Sequence, residues 1–312
     1  MLPRVTHTDD VGRCRRLAVL LATAGLAAAC TVTATPVHTR AAPLWVATAP
    51  QRPAKVLIVV EENKTPGSAL AGMPYLAALA SAYGKTTAYK AVTHPSLPNY
   101  LAIAGGSTFG VHDDAGPASH HISGPSVFDR VIAGGRTAKT YADAMPAACA
   151  LSSTTRYAVK HNPWAYFSDP ASRANCRRFD VPLGSTTAGA LRADVDAGNL
   201  PTVGLVVPDI CHDAHDCSLA TSDAWLKSWL TIVRQGPDYR SGRLAIVVTF
   251  DEDDYSGDNT VQTVVVSSYS SHIVTDRPFT HYSLTRYLAE LTSTVPLRAA
   301  ASAASLRATF RL

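Results

Sequence analysis

A serine hydroxyl lies where a β-rich stretch gives way to an apolar, helix-like run, in the segment 93–100 with the sequence THPSLPNY. Pro98 falls in the first turn of that run, where a missing N–H costs no intrahelical hydrogen bond. Ser96 is therefore expected at a helix N-terminus, where free N–H groups and the helix dipole favour an anion. A hydroxyl in that position suits phosphoryl transfer to serine, whereas the simpler interpretation is that Ser96 only caps the helix.

Acidic and amide side chains follow directly after three apolar runs that are rich in β-branched residues. The runs and their continuations are 56–60 before Glu61-Glu62-Asn63, 203–207 before 208–213 (PDICHD), and 244–250 before 251–254 (DEDD). If the runs are parallel strands, their carboxyl ends meet at one edge of the sheet, together with Ser96. Carboxylates gathered there repel one another, so they either raise each other's pKa or share a cation, and their oxygens suit a hard or borderline divalent ion. Such an ion would lower the pKa of the Ser96 hydroxyl and neutralise a phosphoryl oxygen.

The elements that must position these groups alternate between strand and helix. Strands are expected at 56–60, 86–92, 137–141, 203–207, 244–250 and 263–267, and helices at 73–83, from Ser96 onward, and at 126–133, 187–197, 218–234 and 283–291. This alternation predicts an α/β fold with a mostly parallel central sheet covered by helices on both sides, a three-layer α/β/α sandwich. Residues 146–185 are rich in Pro, Ser, Asn and Arg and are expected to form a long irregular excursion over one face.

The first thirty residues have the pattern of an export signal. Arginines precede the apolar run 17–29, which is too short for a comfortable membrane span. The sequence Ala27-Ala28-Ala29-Cys30 is compatible with two kinds of signal processing. In one, Cys30 becomes a lipidated N-terminus, and in the other, the signal is cleaved without lipidation. The expected organisation is a signal over 1–30, a flexible tether over 31–52 and one catalytic domain over 53–312. The protein is thus expected to be exported, either secreted or tethered to the cell envelope through Cys30.

Charge and cysteine content indicate which partners and which cellular compartment to expect. The chain has 312 residues and a net charge of +4, and no basic run of the kind that follows a phosphate backbone, so no nucleic-acid partner is expected. Four of its six cysteines lie beyond the leader, and an even number in an exported chain predicts disulfides. Closeness in sequence favours Cys149–Cys176 and Cys211–Cys217, while a zinc site in the run 211–217 is the alternative for the second pair.

Five short pieces of the chain occur in a recognisable order. They are Glu62-Asn63, the segment 94–100, the segment 160–163 (KHNP), Pro208-Asp209 with His212-Asp213, and Asp251-Glu252. Together they resemble the bacterial and fungal phosphoesterase family that includes acid phosphatases and phospholipases C, within the alkaline phosphatase superfamily. The resemblance extends from residue 56 to about residue 292. It implies an alkaline-phosphatase-like fold and an enzyme that hydrolyses phosphoric esters.

The resemblance also implies a role for each matching side chain. One divalent ion would be held by Glu62, Asn63, Ser96, Asp251 and Glu252, and Ser96 would also be the nucleophile. The other matched residues would surround a small phosphoester: His161, His212 and Asp213 as catalytic groups, and Asn162, Asp209 and His281 as substrate contacts. His281 has an alternative role as a cap of the last helix. Three residues of a Gly-rich loop, His112, Asp113 and Asp114, are expected to be solvated, and no role is assigned to them.

The segment after Asp251-Glu252 departs from the phospholipase members, which usually continue with Gly-Phe-x-Asp-His. Here 253–258 (DDYSGD) stands in that place, which favours an acid phosphatase that acts on phosphomonoesters through a phosphoserine intermediate. The alternative with the same site is a phospholipase C or phosphodiesterase. A triad esterase is a third hypothesis, although the sequence has no Gly-x-Ser-x-Gly elbow. A surface binding protein with a degenerate site is the non-enzymatic alternative.

Overall fold

The computed structural model describes residues 52–312. Helices in this part of the chain are α1 (Pro66–Gly72), α2 (Pro74–Ala82), α3 (Ser96–Gly105), α4 (Val127–Ala133), α5 (Pro170–Phe179), α6 (Ala190–Asp196), α7 (Leu219–Gln235), α8 (Pro237–Arg240), α9 (His281–Thr292) and α10 (Leu306–Phe310). Strands are β1 (Lys55–Glu61), β2 (Gly84–Thr86), β3 (Tyr89–Lys90), β4 (Ala138–Ala142), β5 (Asp180–Pro182), β6 (Val203–Val207), β7 (Leu244–Phe250), β8 (Thr263–Val266), β9 (Val274–Thr275) and β10 (Phe279–Thr280). The predicted export signal and most of the predicted tether lie outside the described residues.

The main sheet has eight strands in the order β5-β4-β6-β1-β7-β8-β2-β9. The central strand β1 runs parallel to β6 on one side and to β7 on the other, while β8 is antiparallel to both of its neighbours. Residues of β6 and β7 are buried throughout, as is nearly all of β1, because Val, Ile and Leu occupy both faces of these strands. The three carboxyl ends therefore lie side by side at one edge.

Helices cover both faces of this sheet. One group of mutually packed helices contains α1, α2 and α7, and the other contains α3, α4 and α9. Strands that are buried on both faces require such a layer on each side. The predicted α/β fold with a mostly parallel sheet is confirmed. None of the described helices combines the length and the apolar character that a membrane span requires.

Two predicted elements differ from the structure. The stretch expected as one strand at 86–92 is divided into β2 and β3, which belong to different sheets, because the Thr86 hydroxyl accepts a hydrogen bond from the Ala88 N–H (3.1 Å) and turns the chain. The excursion at 146–185 is not wholly irregular, since it contains α5 and β5. Helix α5 buries only Ser172 and Cys176, so it has no apolar stripe from which sequence periodicity could reveal it.

Disulfides connect both cysteine pairs that sequence spacing favoured. Cys149 bonds to Cys176 and Cys211 to Cys217, with Cα–Cα distances of 5.3 and 4.6 Å. A disulfide between Cys211 and Cys217 leaves no thiolate for the alternative zinc site in that run. Two disulfides fit a protein that works outside the reducing cytoplasm.

Candidate active site

The segments that follow β1, β6 and β7 are tied together by backbone hydrogen bonds at the carboxyl edge of the sheet. The Glu62 N–H donates to the carbonyl oxygen of Asp213 (2.8 Å), and the Asp251 N–H donates to that of Glu61 (3.0 Å). The second bond extends the parallel pairing of β1 and β7 by one residue, and the first ties the end of β1 to the loop that follows β6. The structure thus brings together the three polar segments that the sequence placed after strands.

Ser96 lies in the first turn of α3 and is 1% exposed. Its hydroxyl donates to Glu62 Oε2 (3.1 Å), so the side chain points at the carboxylates of the sheet edge. Pro95 is the N-cap residue, and the Leu97 N–H is instead bound by Asp114 Oδ1 (2.9 Å). The interpretation of Ser96 as a helix cap is therefore wrong, and Asp114, to which the sequence assigned no role, supports the first turn of α3.

Asn63 brings the three carboxylates to one point. One terminal atom of its side-chain amide lies 3.2 Å from Glu62 Oε2, 3.3 Å from Glu252 Oε1 and 3.1 Å from Asp251 Oδ1. Its backbone N–H also donates to Asp251 Oδ1 (3.2 Å). An amide nitrogen at the shared point would donate to these carboxylates, whereas an amide oxygen there requires a cation. In either orientation, carboxylate oxygens from three residues lie around a single atom.

Burial and mutual repulsion make this group of carboxylates hard to ionise. Burial, and after it the charges of Asp251 and Asp213, raise the pKa of Glu62 well above its ordinary value. Burial raises the pKa of Asp251 to about 7, and burial together with the charge of Asp251 raises that of Glu252 to about 9. These shifts follow from burying three neighbouring carboxyl groups with little positive charge beside them.

The same residues fit a divalent metal ion. Asp251 Oδ2 is buried and has no hydrogen-bond partner, so it is available as a ligand. The donor set consists of carboxylate, amide and hydroxyl oxygens, which hard cations prefer. A cation would also stabilise the ionised forms of these buried carboxylates. We call Glu62, Asn63, Ser96, Asp251 and Glu252 the oxygen cluster.

His161 is buried behind the oxygen cluster. Its Nε2 lies 3.3 Å from Glu62 Oε1 and its Nδ1 lies 3.1 Å from Asp213 Oδ2, although neither contact has hydrogen-bond geometry. Burial, and after it the charges of Lys160 and His215, hold the pKa of His161 well below its ordinary value. Donor atoms of Glu62, His161 and His215 also lie within 4.8 Å of one another. These three residues are therefore a second candidate metal site, which shares Glu62 with the oxygen cluster and in which a neutral His161 would be a ligand.

Lys160 adds a positive charge that sequence analysis did not assign. Its Nζ donates to Asp114 Oδ2 (2.8 Å) and lies 3.3 Å from His215 Nε2. Burial opposes its charge, but the hydrogen bond to Asp114 and the charges of Glu62 and Asp251 outweigh burial and raise the pKa of Lys160. The sequence feature that could have identified Lys160 is its position directly before His161 in the 160–163 segment. The sequence alone does not show where the Lys160 side chain points.

His212 forms a separate polar group at the same edge, beside the end of β4. Its Nδ1 lies 2.7 Å from Asp143 Oδ2 and 3.3 Å from Asp209 Oδ2, and Arg156 Nη2 donates to Asp209 Oδ1 (2.5 Å). The imidazole stacks on the Trp225 ring at a centroid distance of 5.5 Å. Because Nδ1 faces two carboxylates, it carries the proton when the ring is neutral, and Nε2 remains for a substrate.

His281 supports the oxygen cluster from below and does not face a substrate. Its Nε2 donates to the backbone carbonyl of Asp251 (2.6 Å), which leaves Nδ1 to accept from the Tyr89 hydroxyl (3.2 Å). Burial lowers the pKa of His281 to about 4, so the ring is neutral and this tautomer is required. Thr280 caps α9, so the alternative role of His281 as a cap is wrong.

Three further residues of the Ser96 segment hold the cluster in place and were not assigned from sequence. Tyr100 donates to Glu62 Oε1 through its hydroxyl, and Asn99 Nδ2 donates to Glu252 Oε2 (3.3 Å). His94 Nδ1 lies 2.8 Å from Glu252 Oε2. Each lies within four residues of Ser96, and this closeness in sequence is the feature that could have identified them.

A groove of about 370 Å³ opens beside Lys160 and Asp114. Most of its wall is small and uncharged, with Gly116, Pro117, Ala118, Leu151, Ser152, Ser153, Ala158 and Val159. Leu151 is 46% exposed there. The groove thus offers a mainly neutral surface next to the charged residues of the site.

Asn162 is adjacent to His161 in sequence, but the structure does not bring its side chain to the oxygen cluster. Its Nδ2 donates to Asp180 Oδ2 (2.8 Å) and to the Tyr157 hydroxyl (3.0 Å), and all three residues are buried. These contacts stabilise the excursion at 146–185, which the disulfide between Cys149 and Cys176 closes. A substrate contact through Asn162 therefore has no support from its placement.

Asp180 is expected to make stability depend on pH. Burial raises the pKa of its carboxyl group from 3.8 to about 7, so the folded protein keeps a proton that the unfolded chain releases. The free energy of unfolding should therefore fall as the pH rises from about 4 to about 7, by at most about 4 kcal/mol. Asp180→Asn keeps an acceptor for Asn162 and should be more stable than the parent at pH 8 but not at pH 4, as measured by urea denaturation.

A matched control is Asp238, which is also buried but forms ion pairs with Lys55 and Arg243 at 2.8 Å each. Asp238→Asn removes the negative charge from two cations and should lower the stability at pH 8. If Asp180→Asn also lowers the stability at pH 8, folding does not raise the pKa of Asp180.

The chain is similar to known proteins both in sequence and in fold. The sequence model of the phosphoesterase family matches residues 69–293. Phosphatidylinositol-3-phosphatase of Mycobacterium tuberculosis is 31% identical over 241 residues, which cover 76% of this chain and 76% of that protein. The phosphate-repressible acid phosphatase of Penicillium chrysogenum is 32% identical over 64% of this chain, which spans 49% of the fungal protein. A solved protein in the alkaline phosphatase superfamily from Vibrio parahaemolyticus superposes with a TM-score of 0.51 over 78% of this chain and 67% of its own, at 11% identity, and so shares the fold.

Proposed function

This chain belongs to the phosphoesterase family and is a phosphoric ester hydrolase, and from that premise we propose that it is an exported, metal-dependent acid phosphatase acting on phosphomonoesters. The observation that carries the proposal is the hydrogen bond from Ser96 Oγ to Glu62 Oε2 (3.1 Å), inside a group of buried carboxylates. A buried hydroxyl among metal-type ligands is what nucleophilic attack on phosphorus requires.

Support for a monoester substrate comes from the relatives. The Mycobacterium tuberculosis and Penicillium chrysogenum proteins are both named as phosphatases, and the mycobacterial one as acting on phosphatidylinositol 3-phosphate. Two disulfides and the arginine–apolar pattern of residues 1–30 support export. Whether Cys30 is lipidated is a separate question that cell fractionation of a Cys30→Ala variant addresses.

The oxygen cluster is the proposed metal site. A bound divalent ion supplies positive charge that lowers the pKa of the Ser96 hydroxyl and neutralises the phosphoryl oxygens. Glu62 orients the Ser96 oxygen through its hydrogen bond, the Tyr100 hydroxyl holds Glu62 from the other side, and His161 packs beside Glu62 Oε1 (3.3 Å). His281 acts through the backbone of Asp251 and is thus a positioning residue rather than a substrate contact.

In the proposed reaction the Ser96 hydroxyl passes its proton to Glu62 Oε2 while its oxygen attacks phosphorus, and the bond between phosphorus and the leaving oxygen breaks. The imidazolium form of His212 gives its Nε2 proton to the leaving alcohol, while Asp143 and Asp209 hold its Nδ1 side. Lys160 contributes positive charge toward the phosphoryl group. Water then attacks the phosphoserine and gives a proton to His212 Nε2. The bond between phosphorus and Ser96 Oγ breaks, and Ser96 Oγ regains its proton from Glu62, which releases phosphate and restores the site. Asp213 holds the segment through its contacts with His161 and the His215 N–H.

The proposed function is tested with paired substrates. Purified protein is assayed on p-nitrophenyl phosphate, bis(p-nitrophenyl) phosphate, phosphatidylinositol 3-phosphate and phosphatidylcholine. We expect kcat/KM for p-nitrophenyl phosphate to exceed that for its diester by about 100-fold, because the site would accept a phosphoryl group with only one ester substituent. Faster cleavage of the diester or of phosphatidylcholine would instead identify the chain as a phosphodiesterase or a phospholipase C.

A further inference from the structure

The segment 253–259 holds an exposed aromatic ring beside the oxygen cluster. The Asp253 carboxylate accepts hydrogen bonds from the N–H groups of Tyr255 and Asn259, both at 2.9 Å. Asn259 Nδ2 in turn donates to the Thr93 carbonyl (3.0 Å). The segment is therefore fixed to the stretch of chain that leads into Ser96, and the position of Tyr255 is set by the same contacts.

Tyr255 covers His94 with one face of its ring and leaves the rest in solvent. The two rings stack at a centroid distance of 3.9 Å and an angle of 21°. His94 is itself held at both nitrogens, with Nδ1 2.8 Å from Glu252 Oε2 and Nε2 3.3 Å from Asp253 Oδ1. Because Glu252 belongs to the oxygen cluster, the Tyr255 ring has a fixed orientation relative to the proposed metal site.

The Tyr255 ring is held in an exposed position by a backbone conformation that few side chains adopt. Tyr255 is 68% exposed, and its backbone has φ 63°, a conformation that is costly for a bulky side chain. Partial desolvation and the charges of Glu252, Asp114 and Asp251 raise the pKa of its phenol. These carboxylates are thus within electrostatic range of the ring, which places Tyr255 at the rim of the site.

We propose that the exposed face of Tyr255 is a leaving-group subsite that binds a ring, either an aryl group or the apolar face of a cyclic polyol. This inference rests on the proposed phosphomonoesterase function. An aromatic face attracts flat, weakly polar groups by dispersion and by its quadrupole, without a need for hydrogen-bond matching. Because one face of the Tyr255 ring already stacks on His94, the side chain loses little conformational entropy when a substrate ring stacks on the other face.

The groove beside Lys160 is the competing place for a leaving group, since Leu151 is exposed there. Its wall lacks an aromatic ring, so it would take an acyclic chain and a cyclic group with similar affinity. The two surfaces therefore predict different substrate preferences.

The test compares phenyl phosphate, glucose 6-phosphate and glycerol 2-phosphate as substrates. Tyr255→Ala should lower the ratio of kcat/KM for each cyclic substrate to that for glycerol 2-phosphate by about tenfold, while Tyr255→Phe should keep the ratio. Val274→Ala, which removes a remote hydrophobic side chain that is 62% exposed, is the control and should keep the ratio as well. A smaller effect with glucose 6-phosphate than with phenyl phosphate would assign the subsite to aryl groups.

A binding measurement separates this inference from the proposed function. In the Ser96→Ala background, calorimetry compares phenylphosphonate with methylphosphonate, so turnover plays no part. Tyr255→Ala should weaken phenylphosphonate binding about tenfold relative to methylphosphonate. Equal loss for both ligands would overturn the subsite in favour of a structural role, and so would a loss of selectivity caused by Leu151→Ala and not by Tyr255→Ala. Failure of the parent protein to hydrolyse any monoester would overturn the proposed function alone.

Discussion

Ser96→Ala should abolish hydrolysis of p-nitrophenyl phosphate, with a loss in kcat of about 10⁴-fold or more, because the variant has no oxygen to attack phosphorus. The fold should survive, since the Ser96 hydroxyl makes one hydrogen bond, to Glu62, and α3 is started by Pro95 and Asp114. Activity assays, with circular dichroism and thermal unfolding of the same samples, check both parts of this expectation.

Ser270 offers a matched control for the loss of a buried hydroxyl. Its side chain is also fully buried, but it donates to the backbone carbonyl of Val265 at the far side of the sheet. Ser270→Ala should retain activity. Acid quenching of the parent protein during turnover should trap a phosphoryl group on a peptide that contains Ser96, and the trapped group should be absent in Ser96→Ala. Retention of more than about 1% of the parent kcat in Ser96→Ala would exclude Ser96 as the nucleophile.

Asp251→Asn should remove both the bound metal and the activity. Asp251 Oδ1 lies 3.1 Å from the Asn63 amide and its Oδ2 is buried without a partner, so an amide there removes one negative charge and one anionic ligand. We expect the metal content to fall from about one ion per chain to near zero and kcat to fall by about 10³-fold. Mass spectrometry of the metals in dialysed protein measures the first effect without reference to activity.

Asp254 provides the control for this charge change. It is exposed and accepts a hydrogen bond from the Ser256 N–H at 3.2 Å, outside the oxygen cluster. Asp254→Asn should keep the metal and the activity. The parent protein should also lose activity in a chelator, and its melting temperature should fall, because the carboxylates of the cluster then repel without compensation. Full activity in metal-free parent protein would rule out the metal mechanism.

Much of the fold and part of the site could be predicted because the signals are local. Continuous β-branched runs indicated the buried strands β1, β6 and β7, and Pro98 with the apolar run after it indicated the start of α3. Parallel topology then implied that the groups after these strands share an edge. Closeness in sequence was also enough to choose both disulfide pairs.

The direction of each side chain was decided only by tertiary packing. Asn162 and His161 are neighbours in sequence, yet the first contacts Asp180 and the second lies beside Glu62, because successive residues of an irregular segment face different surroundings. His281 proved to hold the backbone of Asp251, 30 residues away, which no local pattern indicates.

The same reason explains the residues that sequence analysis left out. Asp114 binds Lys160 across 46 residues, and Asp143 reaches His212 across 69, each because adjacent strands and loops converge at the carboxyl edge of the sheet. Local sequence determines which residues form strands and helices, since hydrophobic periodicity and backbone preference act over a few residues. The partners of a buried charge depend on the whole fold, because the free energy of burying it is recovered only from groups that distant segments supply.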